Sequence, residues 1–296
     1  MPKPQPHAAH PTAIHFDLRQ PLSRRHALHL LGGVAGAALV AGCAGGGADA
    51  IDTGTGSSSG GGSSSSSGGS SSGGSSGSCT RVAEETAGPF PANGTNTSGG
   101  VTKNVLTDAR AFRTDIRSDL DGSNTQTGIP LTVTLTLLNV NGSCGPLAGY
   151  YVYLWHCSRL GSYSQYSGTM NGGDYSERTW LRGVAQTDAN GRVSFTTIFP
   201  GRYSGRATHM HYQVYPDATP ANGEQRATSQ LAFPASVTDG AGSPYANTTL
   251  YPTSASNNTS NERDNVFSNG TSTEMLTITG NNTDGYVATI TVGISA

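Results

Sequence analysis

The segment from residue 200 to residue 211 brings four reactive side chains close together: Tyr203, Arg206, His209 and His211. Side chains alternate between the two faces of a β-strand with a period of two, so His209 and His211 would point the same way and could grip one ion. Phenol oxygens and imidazole nitrogens together suit ferric iron better than zinc or calcium. The segment therefore predicts a metal site with a cationic, anion-binding residue beside it.

A second phenol is available upstream, at Tyr163, which follows a predicted strand and a turn that contains Gly161. A tyrosine with a pKa near 10 in water would be ionised at neutral pH when it is bound to such a cation. The alternative is a copper or zinc protein that uses only His209 and His211. That alternative leaves both Tyr163 and Tyr203 without a role.

The elements that must position these residues read as short strands. Residues 131–138, 151–155 and 286–292 alternate between apolar and polar side chains, as half-buried strands do. Residues 183–187 and 192–198 predict a hairpin, because Asn190 and Gly191 between them can supply the positive φ angles of its turn. No segment has a sustained helical period. The pattern predicts an all-β fold, an antiparallel-rich β-sandwich with long loops.

The chain divides into three parts of different composition. Residues 1–43 read as a twin-arginine export signal, with Arg24 and Arg25 before an apolar run and a lipobox-like sequence that ends at Cys43. A plain signal peptide that happens to contain a cysteine is the alternative. Residues 44–78 are rich in Gly and Ser and predict a flexible linker. Residues 79–296 are expected to form one domain, in which the Asn- and Ser-rich stretch 235–285 predicts surface loops.

The charge and the cysteines narrow the function further. The formal net charge is −2 and only 12% of the residues are charged, so the chain lacks the excess of positive charge that typically binds nucleic acid. An oxidising compartment would permit one disulfide among Cys79, Cys144 and Cys157. Cys144 and Cys157 flank one predicted strand and would lie far apart, so we favour the pair Cys79 and Cys144. The expected location is periplasmic or at the cell surface, with a lipid anchor at Cys43 as the membrane contact.

The sequence resembles the intradiol ring-cleavage dioxygenases, the superfamily of catechol and protocatechuate dioxygenases, and in particular its exported members. The resemblance spans residues 83–234 and rests on several motifs in the same order. These motifs are residues 85–90 (ETAGPF), 155–164, 180–183 with 187–188, 197–211, and 228–231 (TSQL).

The resemblance implies a function and a role for each candidate residue. Tyr163, Tyr203, His209 and His211 would be the protein ligands of a non-haem Fe(III), and Tyr203 would leave the metal to act as the base. The substrates would be a small aromatic diol and O2, and the ring would open between its two hydroxylated carbons to a cis,cis-muconate-type product. Arg206 would stabilise developing negative charge, and Gln230 would lie near the substrate.

Three features depart from the family pattern. Ser158 stands where family members often carry Asp, and the spacing from Tyr203 to His209 is shorter than in the cytoplasmic enzymes. The helical amino-terminal segment through which the cytoplasmic catechol enzymes dimerise has no counterpart, so we do not expect that mode of dimerisation, and the oligomeric state stays open.

Three further residues with reactive side chains have structural interpretations. His156 is interpreted as a hydrogen-bonded core histidine rather than a fifth ligand, Glu85 as a residue that ties down a loop, and Asp188 as part of a turn. A function of another class also remains open, namely a non-catalytic surface lipoprotein that binds aromatic or carbohydrate ligands. The presence of all five site residues from Tyr163 to His211 argues against a decayed site.

Overall fold

The computed structural model describes residues 79–296 apart from Asn222 and Ala255. The export signal predicted for residues 1–43, the lipid anchor at Cys43 and the linker predicted for residues 44–78 lie outside the described residues. They therefore stay predictions.

Two β-sheets share one hydrophobic core, as a β-sandwich requires. The first sheet has four strands: β5 (Tyr151–Trp155), β8 (Arg182–Gln186), β10 (His209–Tyr215) and β11 (Ala227–Ala232). They lie in the order β11-β10-β5-β8, and all neighbouring strands are antiparallel.

The second sheet is centred on the longest strands. It contains β3 (Pro130–Asn139), β4 (Gly145–Pro146), β9 (Arg192–Ile198), β12 (Thr277–Asn281) and β13 (Gly285–Ile294). The strand β3 pairs in parallel with β13 and antiparallel with β9 and β4, so the sandwich is antiparallel-rich with one parallel pair. The strands predicted at 131–138, 151–155 and 286–292 are confirmed, and so is the all-β fold class.

The predicted hairpin is wrong, although both of its strands exist. The strand β8 pairs with β5 in the first sheet, whereas β9 pairs with β3 in the second. The turn between them therefore joins two sheets instead of two neighbouring strands. Gly191, at φ +70°, takes the left-handed conformation there, and an added Cβ would lie 2.5 Å from the carbonyl oxygen of Leu137. The turn residue was correctly identified, but a turn alone does not say which sheet its second strand joins.

The remaining elements are short. Two small antiparallel pairs lie outside the sandwich sheets: β1 (Asn93–Ser98) with β2 (Val101–Asn104), and β6 (Ser167–Gly168) with β7 (Gly173–Asp174). The α-helix α1 (Ala235–Thr238) has four residues. Single 3-10 turns occupy Val105–Thr107, Ala109–Ala111, Thr169–Asn171, Pro244–Ala246, Asn261–Arg263 and Phe267–Asn269. In the part of the chain that the structure describes, we find no helix with the length and apolar character needed to cross a bilayer.

Strand β10 is buried on both faces, and this decides where a site can form. Met210, Tyr212 and Val214 belong to the core between the two sheets. His209 and His211 alternate with them and therefore face the other side of the sheet. That outer face carries a second apolar cluster, to which loop residues such as Phe90 and Tyr163 contribute.

The stretch predicted as surface loops is only partly on the surface. Within the predicted stretch 235–285, most residues have little regular structure, as expected, but β12 (Thr277–Asn281) and the first residue of β13 contradict the prediction. However, Tyr251, Phe267, Asp264 and Glu274 are 0–1% exposed, so this stretch packs against the sandwich. The structure also contains the favoured disulfide between Cys79 and Cys144, while Cys157 is a buried free thiol.

Candidate metal centre

Four side chains of the candidate site form one row across the first sheet. On β10, His211 is in register with Gln230 of β11 on one side and with Trp155 of β5 on the other. Trp155 is in turn in register with Arg182 of β8. The indole of Trp155 stacks on the imidazole of His211, with ring centroids 5.0 Å apart and planes 7° from parallel. The row therefore fixes the orientation of one predicted ligand.

Three of the four predicted ligands converge at one point beside this row. The Tyr163 Oη lies 3.1 Å from His209 Nε2 and 3.3 Å from His211 Nε2, and the two Nε2 atoms are 3.1 Å apart. The residues are 1%, 2% and 3% exposed, respectively, so the three atoms face each other away from bulk water. Sequence spacing alone predicted the pair of histidines, and the structure adds Tyr163 to the pair.

The two imidazoles are held in the neutral form. Burial, together with the positive charge of Arg206, lowers the pKa of His209, and burial lowers the pKa of His211 well below its usual value. His209 Nδ1 lies 2.7 Å from the carbonyl oxygen of Ala207. A carbonyl can only accept, so Nδ1 carries the proton and Nε2 presents a lone pair to the site. This is the form in which an imidazole binds a metal ion.

A turn stabilised by Asn171 presents Tyr163. The Asn171 side chain accepts a hydrogen bond from the Tyr163 N–H and donates to its carbonyl oxygen, both at 2.8 Å. Gly161 has φ +80°, and an added Cβ would lie 2.6 Å from the carbonyl oxygen of Arg202. Burial raises the pKa of the Tyr163 phenol well above its usual value. The phenol therefore keeps its proton unless a cation lies beside it.

Tyr203, the fourth predicted ligand, borders the cluster and is only partly buried. Its ring centroid is 5.7 Å from that of Tyr163 and 5.7 Å from that of Phe90. Its phenol oxygen forms no hydrogen bond with any described residue, whereas its carbonyl oxygen accepts one from Asn257. Burial raises the pKa of Tyr203 above its usual value. The backbone of Tyr203 is thus fixed, and its side chain is the least constrained of the four.

Arg206 and Gln230 contact each other directly. Arg206 Nη2 donates to Gln230 Oε1 at 2.7 Å, and Gln230 Nε2 donates to the carbonyl oxygen of Thr86 at 2.8 Å. Thr86 belongs to the loop of residues 85–90, and an added Cβ on Gly88 in this loop would lie 3.1 Å from the His211 ring. The loop therefore covers the histidine end of the site.

The buried guanidinium of Arg182 connects two loops behind the site. It is 1% exposed, and its N–H groups donate to the side chain and carbonyl of Ser164, the carbonyls of Phe90 and Pro91, and the hydroxyl of Tyr153. All of these acceptors are neutral. Because Ser164 follows Tyr163 in the chain, Arg182 ties the turn that presents this ligand to the loop that carries Phe90.

The residues interpreted as structural have structural contacts. His156 is 1% exposed, and its ring nitrogens contact the carbonyl of Cys157 at 2.8 Å and the hydroxyl of Thr197 at 2.7 Å. Glu85 accepts a hydrogen bond from Asn269, and Asp188 accepts from the backbone of its own turn. These contacts support all three interpretations.

The donor atoms present fit a metal ion. Donors that bind one ion at about 2.1 Å lie about 3 Å from each other, and the three atoms here are separated by 3.1, 3.1 and 3.3 Å. Within residues 79–296, leaving aside 222 and 255, no three His, Cys, Asp or Glu side chains form a group that could hold a metal. Beside His209 and His211, the nearest side-chain donor atom is the phenol oxygen of Tyr163. Imidazole with phenolate is a donor set suited to ferric iron.

Sequence reasoning missed two residues that support the site, Asn171 and Asp264. Asp264 is 0% exposed and forms an ion pair with Arg206. Neither residue lies in a motif with recognisable chemistry, and their partners are separated from them by 8 and 58 residues. The spacing between distant residues gives no signal of such contacts.

Comparisons with known proteins find similar sequences among dioxygenases. Residues 106–222 match a family model described as Dioxygenase. Catechol 1,2-dioxygenase 1 of Acinetobacter lwoffii is 28% identical over 149 residues, which are 44% of this chain and 41% of that protein. The chain therefore spans less than half the length of this curated relative.

Two solved structures share the fold over most of their length. The intradiol ring-cleavage dioxygenase from Tetranychus urticae is 25% identical, with a TM-score of 0.52 that covers 73% of this chain and 95% of that one. A second crystal structure, described as that of a dioxygenase, is 26% identical with a TM-score of 0.52, and the match covers 73% of this chain and 94% of that one. The family match over residues 106–222 and the likeness to these two solved structures therefore support the resemblance to the intradiol ring-cleavage dioxygenases that the sequence motifs indicate.

Proposed function

We propose that the protein is a non-haem Fe(III) intradiol dioxygenase that opens catechol-type rings with O2 to cis,cis-muconate-type products. The observation that carries the proposal is the triangle formed by Tyr163 Oη and the Nε2 atoms of His209 and His211, with sides of 3.1–3.3 Å. The chain also contributes Arg206 and Gln230 next to this triangle. The likeness to a catechol 1,2-dioxygenase supports the substrate class.

Tyr163, Tyr203, His209 and His211 would hold the metal. A ferric ion held there would supply the Lewis acidity that favours the catechol dianion and the redox chemistry that makes its ring reactive towards O2. The neutral imidazole of His209 is already oriented for this role by the Ala207 carbonyl. The stack on Trp155 does the same for the ring of His211.

Tyr203 is the proposed base. A catechol must lose its hydroxyl protons to bind as a dianion. Tyr203 Oη could accept one of them in the ionised form that a bound cation would favour. The side chain is suited to this role because it is only partly buried and its phenol has no hydrogen-bond partner among the described residues, so it can move. Tyr163 cannot do this as easily, because it is 1% exposed and Asn171 fixes its backbone.

Arg206 and Phe90 would act on the substrate itself. The Nη1 atom of Arg206 has no hydrogen-bond partner among the described residues, so it can donate to negative charge that develops on the ring or its oxygens. Phe90 is 7% exposed and lies against both Tyr163 and Tyr203. Its ring would exclude water from the reacting atoms. Gln230 helps to hold the guanidinium in place, because its Oε1 accepts a hydrogen bond from Arg206 Nη2.

We further propose that the protein is exported and anchored through a lipid at Cys43, with residues 44–78 as a tether. The twin arginines and the lipobox-like sequence motivate this proposal. The disulfide between Cys79 and Cys144 supports an oxidising compartment. Fractionation of cells, with a Cys43→Ala variant as control, tests it. Membrane association that is unchanged in this variant would contradict the anchor.

Oxygen uptake tests the activity. The iron-loaded protein is given catechol, hydroxyquinol or protocatechuate under ¹⁸O2, and the products are analysed by mass spectrometry. We expect a muconate-type product that contains both ¹⁸O atoms of one O2 molecule. The H211A variant, which removes one donor, should lose turnover, whereas T283A on an exposed turn should keep it. Tight catechol binding without oxygen uptake would instead favour the non-catalytic binding protein.

A further inference from the structure

A buried carboxylate outside the predicted site, Asp264, lies behind Arg206. We propose that Asp264 is a positioning residue that fixes the guanidinium of Arg206 and the backbone that orients His209. The inference rests on the proposed function, because it assigns Arg206 the task of stabilising negative charge. It extends the site to a loop beyond residues 106–222, the part of the chain that matches the family model.

Both oxygens of Asp264 are used by groups at the site. Arg206 Nε donates to Oδ2 at 2.8 Å and to Oδ1 at 3.0 Å. The exposed fractions are 12% for the Arg206 side chain and 0% for Asp264, so water screens the pair little. Hydrogen bonds to a charged partner in such surroundings are stronger than those between neutral groups.

The guanidinium of Arg206 is held by hydrogen bonds at two of its three nitrogen atoms. Nε is held by Asp264 and Nη2 by Gln230, whose own amide nitrogen is held by the Thr86 carbonyl. The guanidinium also lies over the ring of Phe267, 5.7 Å from its centroid. A long, flexible side chain thus has a single orientation, in which both N–H groups of Nη1 have no partner among the described residues and can meet a ligand. Such preorganisation spares the reaction the cost of ordering the arginine.

A second path leads from Asp264 to the predicted ligand His209. Asp264 Oδ2 accepts the Ala207 N–H at 2.6 Å, and the Ala207 carbonyl accepts the His209 Nδ1–H at 2.7 Å. The carboxylate therefore holds the backbone of Ala207, the residue whose carbonyl selects the tautomer of the imidazole. Partners of this kind, which orient a ligand without touching the metal, tune many metal sites.

Asp264 is itself held in place by its own turn. Its side chain accepts the Val266 N–H at 2.8 Å, and its backbone N–H donates to the carbonyl of Ser260 at 3.0 Å. The carboxylate also offsets the positive charge of Arg206, which would otherwise repel a cation at the nearby histidines. Asp264 thus both orients Arg206 and Ala207 and compensates the positive charge of Arg206.

A double-mutant cycle tests the inference on the full, iron-loaded chain. The variants are D264N, R206Q and the double variant, with D119N as matched control. Asp119 is also a buried carboxylate, 5% exposed, and it accepts two backbone N–H groups, those of Thr179 and Trp180. We expect D264N to lower kcat about 10-fold to 100-fold with a much smaller change in KM. The Asn side-chain oxygen can still accept the Ala207 N–H, so D264N mainly removes the charged contact with Arg206. In the R206Q background, D264N should therefore cost no more than about twofold.

Two outcomes would overturn the inference. If D264N lowers kcat by the same factor with and without Arg206, the two residues act independently. If D264N reduces activity only in proportion to the loss of folded, iron-loaded protein, as expected for D119N, the role of Asp264 is structural.

A readout that needs no turnover separates this inference from the proposed function. In protein loaded with diamagnetic Ga(III), because ferric iron would broaden nearby signals, the Nε–H of Arg206, assigned by its loss in R206Q, should give an NMR resonance that exchanges slowly with water. In D264N this resonance should shift and exchange with water faster, while D119N should leave it unchanged. A resonance that is the same in D264N contradicts the inference. If the shift occurs but no catechol is oxidised, only the proposed function fails.

Discussion

The imidazole of His211 and the indole of Trp155 lie in register on adjacent antiparallel strands and stack almost in parallel, 5.0 Å apart. This relationship shows how the sandwich builds its site. One lateral row of a sheet supplies a predicted ligand, an aromatic support for it, and polar residues at both ends, Gln230 and Arg182. The loops add Tyr163, Tyr203 and Arg206 to this row, whose positions the sheet determines.

Arg182 should contribute strongly to stability through its hydrogen bonds. In R182K, one ammonium group would replace a guanidinium that serves five neutral acceptor atoms, so at least two buried acceptors would lose their partners. We expect the free energy of unfolding to fall by about 2 to 4 kcal/mol. Urea denaturation of the full chain measures this. R178K, at a largely exposed arginine, should change it by about 0.5 kcal/mol or less; an equally small effect of R182K would contradict the assignment.

Glu274 should make stability depend on pH. Burial, together with the negative charge of Glu85, raises the pKa of Glu274 from its ordinary value of 4.5 to about 7. Between these two pH values the folded protein binds a proton that the unfolded chain has lost. Stability should therefore fall as the pH rises from 4.5 to about 7 and then remain lower, while below 4.5 the group has no effect.

The variant E274Q isolates this contribution. Its free energy of unfolding should lack the decrease and should exceed that of the wild type above pH 7 by on the order of 1 to 3 kcal/mol. Urea titrations at several pH values give the comparison, with E177Q at an exposed position as control. If wild type and E274Q have parallel pH profiles, Glu274 is not protonated in the folded protein.

The disulfide should stabilise the domain by restricting the unfolded chain. Cys79 and Cys144 are separated by 65 residues, and a closed loop of this length corresponds to about 4 kcal/mol in the chain-entropy description. The variants C79S, C144S and C79S/C144S should be destabilised by similar amounts, because either single change already opens the loop. Urea denaturation under oxidising conditions checks this. Additive losses in the double variant would mean that each cysteine contributes separately from the bond.

The sequence was sufficient for the parts of the account that depend on local pattern. Alternating side chains predicted β3, β5 and β13, and the spacing of two predicted that His209 and His211 share a face. It was insufficient wherever the answer depends on which distant segments meet. The strands β8 and β9 were predicted individually but wrongly paired, because a turn does not determine the sheet that follows it.

The same limit explains why Asp264 was missed. It lies in a stretch of low apolar content that reads as surface loop, and only the folded chain shows that this loop places a carboxylate against Arg206. The register of Gln230 and Trp155 with His211 is likewise a property of strand pairing and leaves no trace in residue spacing.

The central claim is that Tyr163, Tyr203, His209 and His211 bind ferric iron, and the visible absorption spectrum of the purified, iron-analysed protein under argon tests it most directly. The account predicts a red tyrosinate-to-iron band that shifts when catechol is added and decays when oxygen is admitted. Y163F should remove or strongly shift the band at equal iron content, while Y175F, at a tyrosine that packs on Trp180, should leave it unchanged. A colourless iron-bound protein, or a band unaffected by both Y163F and catechol, would contradict the account.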